Sequence, residues 1–337
     1  MNNTHSQYFL LYASCIPVKG ISRSSIYDIQ RNCLRLIPNL IYDVIKDAEN
    51  RTAGELKKKY YNEYDKEIDI FFQELIEDEL GFFTDTPKLF PKLSLAWESS
   101  SQISNAIIEI KEKSELDYNS IFSQLDDLGC TSIELRFTGS PTIDFIEHIL
   151  TACNHSRIVS ISMILPYADQ FQIDNISYLS SKNLRVNKII IHSAKENKKI
   201  SNNYMVAKIY YTTSQLNNSS CGQICKENLI INSDLFRESQ KYNSCLNKKV
   251  TITENGDIKN CPSFKKKFSN IKVKKLKEAI TDAKFQELWH IRKDNINICK
   301  SCEFRYSCMD CRAYTQDPKN KYSKPLKCSY DPKTMSW

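Results

Sequence analysis

Seven of the thirteen cysteines in this 337-residue chain lie between Cys245 and Cys328, and four of those are packed between Cys299 and Cys311. The order is Cys245, then Gly256 and Cys261, then Cys299-Lys-Ser-Cys302-Glu-Phe-Arg-Tyr-Ser-Cys308-Met-Asp-Cys311, then Cys328. Two or five intervening residues form a tight loop that brings both sulfurs to one side, so thiolates at these spacings converge on a metal centre. Seven or eight thiolates exceed what one tetrahedral zinc takes, but suit two iron–sulfur clusters of about four cysteines each. A disulfide framework fits secreted chains of under roughly 100 residues, and this chain is far longer. Two zinc sites remain open, because Cys299-x2-Cys302 with Cys308-x2-Cys311 has the form of a four-cysteine knuckle.

The whole pattern from Cys245 to Cys328 resembles the SPASM domain, the C-terminal extension of many peptide-modifying radical SAM enzymes. One spacing departs from that family: Met309-Asp310 puts two residues where the family usually has three. The words Asn260-Cys261-Pro262-Ser263, Cys302-Glu-Phe-Arg-Tyr306 and Cys311-Arg-Ala-Tyr314 look like the grasp-with-SPASM subfamily, encoded beside an ATP-grasp ligase and a ribosomal precursor peptide. The resemblance implies two auxiliary [4Fe-4S] clusters. It assigns Cys245, Cys261 and Cys311 to the first, with Cys221 or Cys225 as a fourth ligand; Cys221 is preferred because Gly222 lets backbone approach a sulfur. It assigns Cys299, Cys302, Cys308 and Cys328 to the second.

A hydrophobic fraction of 41% permits a sizeable core, and the length suggests two or three domains. No apolar run approaches the ~20 residues of a membrane helix. The start, Met-Asn-Asn-Thr-His, has neither a basic nor an apolar region, so a cytoplasmic location with reduced thiols is expected. The net charge of +7 is mild. Its excess gathers at Lys265, Lys266, Lys267, Lys272, Lys274, Lys275 and Lys277, which read as a solvated face or as a docking patch for an acidic peptide.

In the N-terminal stretch, residues 8–16 are apolar enough for a buried strand, residues 25–29 alternate, and residues 33–37 follow within a short turn. Pro38 opens a helix, Thr52-Ala-Gly-Glu55 has the form of a capping box, and a third helix is expected from Glu67 to Leu80 with Gly81 as its stop. Three strands then three helices is the order of the winged-helix RiPP recognition element, which binds a leader peptide as an added strand. That resemblance implies an edge at Cys33, Leu34, Arg35, Leu36 and Ile37, with Arg35 as the charged contact. The groove wall is then the third helix, with Phe71 and Leu75. Nucleic acid is not expected as a partner, because Glu74, Glu77, Asp78 and Glu79 repel phosphate. Cys15 and Cys33 are isolated on apolar strands, where a cysteine is usually a small core residue, and neither is assigned as a metal ligand.

From residue 90 to 225 strands and helices alternate: strands at 106–110, 132–137, 159–165, 186–192 and 206–212, helices at 118–128, 143–153 and 176–181, and a further strand at 93–97. This implies a parallel sheet with helices outside, open or closed into a partial barrel. A radical SAM core is such a barrel, and requires Cys-x3-Cys-x2-Cys in the loop after its first strand. Here that loop reads Lys111-Glu-Lys-Ser-Glu-Leu-Asp-Tyr118. Cleavage of S-adenosylmethionine is therefore not expected.

The chain thus reads as an α/β protein: a winged-helix-like module at 1–88, a radical SAM-like partial β/α barrel without its cluster motif at 89–220, and a SPASM domain at 221–337. The function expected is a partner protein in ribosomal peptide maturation that binds the precursor's leader and assists an ATP-grasp ligase. Two other readings stay open: a redox or substrate-ligating maturase, and a zinc-stabilised binding protein.

Overall fold

The computed structural model describes residues 4–200 and 207–337. The chain forms two compact units, each assembled from separate stretches of sequence. The first comprises Met1–Glu98, Gln223–Ser244 and Ile291–Trp337, and the second Ser99–Gly222 and Cys245–His290.

The first unit opens with β1 (Tyr8–Leu11), β2 (Cys15–Val18), β3 (Arg23–Asp28) and β4 (Cys33–Pro38). Helices α1 (Asn39–Ala48), α2 (Ala53–Lys59) and α3 (Asp65–Glu77) follow, then β5 (Gly81–Thr84). The single strand expected over residues 8–16 is two strands that enter different sheets. β1 pairs antiparallel with β5, whereas β2, β3 and β4 form an antiparallel sheet in that order. Pro17 sits on the outer strand β2, where a missing N–H costs least.

The capping box at α2 forms as expected: the Glu55 amide donates to Thr52 Oγ1 at 3.3 Å, and the Thr52 amide to Glu55 Oε2 at 2.9 Å. α3 buries Ile68, Phe71, Phe72 and Leu75, and the ring of Phe72 stacks on Phe9 at 4.1 Å. Gly81 is not the stop of that helix. It begins β5, where a Cβ would come within 2.5 Å of the Phe9 ring and 2.7 Å of the Leu10 carbonyl oxygen. Close approach of β1 therefore explains this glycine. The helix ends earlier, with Glu79 in the left-handed region at φ +54°.

The second unit runs β6 (Asn105–Lys111), α4 (Tyr118–Asp127), β7 (Ser132–Thr138), α5 (Ile143–Ala152), β8 (Ser160–Pro166), α6 (Ile173–Lys182) and β9 (Val186–His192). It continues with β10 (Lys198–Ile200), β11 (Lys208–Tyr211), β12 (Lys249–Ile252), β13 (Asp257–Lys259) and β14 (Ser269–Asn270). These strands form one sheet, ordered β10-β11-β9-β8-β7-β6-β12-β13-β14. The three strand–helix repeats and the strand β9 that follows them build its parallel centre. Ile133, Leu135 and Phe137 on β7 are buried, and Glu134 and Arg136 between them are less so, so one face packs more tightly than the other. Val206, in the expected last strand, lies outside the described residues. Residues 93–97 form no strand.

The boundary drawn from sequence at residue 221 differs from this arrangement. β12 pairs in parallel with β6, Lys249 opposite Asn105, so residues 245–290 extend the second unit's sheet. The turn between β12 and β13 passes through Gly256 at φ +83°, where a Cβ would press on Asn270 and Leu116 at 3.0 Å.

Candidate metal centres

Four of the expected ligands, Cys299, Cys302, Cys308 and Cys328, line one small cavity of the first unit. A short 3-10 turn at Cys299–Ser301 directs the first two inward, with the Cys302 amide donating to the Cys299 carbonyl at 3.0 Å. Cys328 is placed by a bridge to Ile224, whose amide donates to the Lys327 carbonyl at 3.1 Å. Burial pushes the Cys299 thiol up to about 11 and raises those of Cys302 and Cys308. The bare thiols are therefore protonated at neutral pH, and a metal that binds them releases protons.

Beside them lies a closed set of charges. The Lys293 ammonium is 3.3 Å from Asp310 Oδ1, and Arg312 Nη2 is 2.7 Å from the same oxygen. Asn243 Nδ2 donates to Asp310 Oδ2 at 2.8 Å. Burial opposes the charge on Lys293, but Asp310 and the thiols of Cys308 and Cys299 hold its pKa above the usual value. A second buried ion, Glu303, follows Cys302 directly. Its Oε1 accepts from Arg23 Nε at 2.6 Å and from the Tyr330 hydroxyl. Its carbonyl accepts from Ser25 Oγ at 3.0 Å and from the Tyr27 hydroxyl at 2.8 Å. Three residues of β3 thus bind the loop that carries Cys302.

In the second unit, Lys249 stands where Cys221, Cys245 and Cys261 gather, with its ammonium 3.7 Å from Cys245 Sγ. Burial opposes that charge too, and the three thiols and Glu134 keep its pKa raised. Burial raises the Cys261 thiol. Of the two candidates for a fourth ligand, Cys221 lies in this unit and Cys225 in the first. Cys311 is buried and also belongs to the first unit. Cys130 and Cys153 are fully buried with thiols pushed up to about 12, as inert packing residues are.

The donors fit iron–sulfur chemistry: soft thiols throughout, with buried Lys293 beside one set and half-buried Lys249 beside the other. Among the described residues no three His, Cys, Asp or Glu side chains are drawn close enough to hold a single ion. A cavity of about 620 Å3 in the first unit lies apart from this chemistry, lined by residues of β1, β2, α1 and 87–95.

The residues expected to contact a peptide divide. Among the described residues β4 pairs with β3 alone, which leaves its other edge open, and Leu36 is 40% exposed. Arg35 is engaged within the chain: Nη2 is 2.7 Å from Glu74 Oε2, and Nη1 meets Asp78. Phe71 and Leu75 belong to the core beneath, so they have little surface for a peptide. Sequence reasoning missed Lys249, Lys293, Asp310, Arg312 and Glu303. Only Asp310, Arg312 and Glu303 carried a local signal, as charged residues inside or against the dense cysteine run.

Residues 244–303 match the family model of SPASM, an iron–sulfur cluster-binding domain. That span holds Cys245, Cys261, Cys299 and Cys302. No curated protein matches the chain. Among solved structures, Streptococcus suis SuiB bound to S-adenosylmethionine is similar at 12% identity, with a TM-score of 0.40 over 95% of this chain and 99% of that one. SuiB bound to its precursor peptide SuiA gives 12% identity and a TM-score of 0.41 over the same shares. No helix among the described residues is long and apolar enough to cross a membrane.

Proposed function

We propose that this chain is an iron–sulfur protein of ribosomal peptide maturation. It binds a precursor's leader at the open edge of β4, presents the core peptide to an ATP-grasp ligase, and does not cleave S-adenosylmethionine. The observation that carries the reading is the gathering of the expected cysteines into two sets, Cys299, Cys302, Cys308 and Cys328 around one cavity and Cys221, Cys245 and Cys261 near one another, with Cys245, Cys261, Cys299 and Cys302 inside the matched SPASM segment.

Cys299, Cys302, Cys308 and Cys328 are proposed to hold one [4Fe-4S] cluster. Cys221, Cys245 and Cys261 are proposed as ligands of the other, and Cys311 is retained as a ligand on the resemblance alone. Such clusters supply electron transfer or, where an iron lacks a cysteine, a site for substrate. The absence of S-adenosylmethionine chemistry rests on the cysteine-free loop 112–117 after β6. The N-terminal module, with its three-stranded sheet and three helices, is read as a winged-helix recognition element on its element order.

For leader binding, the backbone of β4 supplies unpaired hydrogen-bonding groups, and Leu34 and Leu36 supply apolar contact. Cys33, Arg35 and Ile37 complete the strand. A peptide carboxylate that reaches Arg35 competes with Glu74 and Asp78. Titration of the full chain with fluorescently labelled precursor tests this. Saturable binding abolished by deleting the leader is expected, and no binding at any concentration tried would refute the recognition role. A redox maturase instead changes the precursor's mass with reductant alone and no ligase. Anaerobic metal analysis separates the zinc-stabilised alternative.

A further inference from the structure

The proposed function makes no use of the charges sealed beside the first unit's thiols. Lys293, Asp310 and Arg312 have side chains only 3%, 1% and 2% exposed, and two cations against one anion leave a net charge of +1. The structure fixes this trio firmly. Asn243 holds the second oxygen of Asp310, and Arg312 Nη1 donates to the carbonyls of Lys321 and Ser323 at 3.2 and 2.7 Å. Lys293 lines the cavity with the four thiols.

Apolar side chains of similar size would pack such a site without the penalty of buried ions. A fixed positive charge in a region of low dielectric, however, acts strongly on any negative group beside it. Four thiolates around an iron–sulfur cluster are such a group, and hydrogen bonds and charge at the sulfurs are among the determinants of its potential.

We infer that Lys293, held by Asp310 and Arg312, is the built-in counter-charge of this thiol set and raises the reduction potential of the cluster it holds. The inference rests on the reading of Cys299, Cys302, Cys308 and Cys328 as cluster ligands.

The test uses the full chain, reconstituted anaerobically with iron and sulfide and titrated with dithionite and mediators while reduction is followed by electron paramagnetic resonance. The signal of this cluster is the one lost in Cys299→Ala. K293M removes the net charge, D310N raises it to +2, and the double variant K293M/D310N restores +1. The midpoint potential should follow that ladder: D310N above the wild type, the double variant near it, and K293M below it. For K293M the expected change is at least tenfold in the one-electron reduction equilibrium, or about 59 mV.

A merely structural trio would not produce this order. Potentials that are equal, or ordered otherwise, overturn the inference, as does loss of the cluster in all three variants. A wild-type chain that takes up no iron overturns the ligand reading itself, which is a separate outcome.

Discussion

Arg23 is three-quarters buried against a fully buried carboxylate, Glu303, on the residue that follows Cys302. Removing one partner of such a pair leaves an uncompensated buried charge, which costs about 3–5 kcal/mol. Partial exposure of Arg23 and the remaining Tyr330 hydroxyl place Arg23→Met at about 3 kcal/mol, measured as a lower urea midpoint with unchanged slope. A second carboxylate, Asp28, makes the first unit sensitive to acid. Burial works to raise its pKa, but the Arg31 and Gln30 amides and the Arg31 guanidinium prevail and lower it. A lowered carboxyl contributes stability above its unfolded value, near 3.8, and loses it as pH falls through the folded value. The wild type should therefore lose stability below pH ~4 more steeply than Asp28→Asn. Parallel acid unfolding curves would contradict this.

β3 is the element that joins the expected recognition sheet to the expected cluster site, because Ser25, Tyr27 and Arg23 all bind Glu303. Loosening the Cys302 loop should loosen that strand. In Cys299→Ala, hydrogen exchange at β3 amides should speed up roughly thirtyfold, as expected from two hydrogen bonds of about 1 kcal/mol each, while β7 and β8 keep their rates. Unchanged β3 exchange would mean that the two parts are independent.

Some elements were plain in the sequence and others were not. The Thr52–Glu55 box and the strand–helix repeats from β6 to β9 rest on local spacing, and they form as read. The break at residues 12–14 was hidden because Tyr12, Ala13 and Ser14 carry no glycine or proline to mark a turn. Gly81 was misread because a helix stop and a close strand contact leave the same letter in the sequence.

At the scale of the molecule, local patterns fail for a different reason. Each unit is assembled from distant stretches, and pairing such as that of Lys249 with Asn105 has no local signature. The same holds for the site. Cysteine spacing made the thiols visible, whereas Lys249 and Lys293 matter only through their closeness to sulfurs that the fold brings to them. The interleaving also decides how peptide binding is measured. Residues 1–98 lack the Glu303 and Tyr330 partners of β3, so the full chain is the proper ligand-binding species. The central claim is that these cysteines hold two iron–sulfur clusters, and the most direct measurement is metal and acid-labile sulfide in anaerobically purified protein. About eight iron and eight sulfide per chain are expected for two cubanes; about two zinc with no sulfide would contradict it.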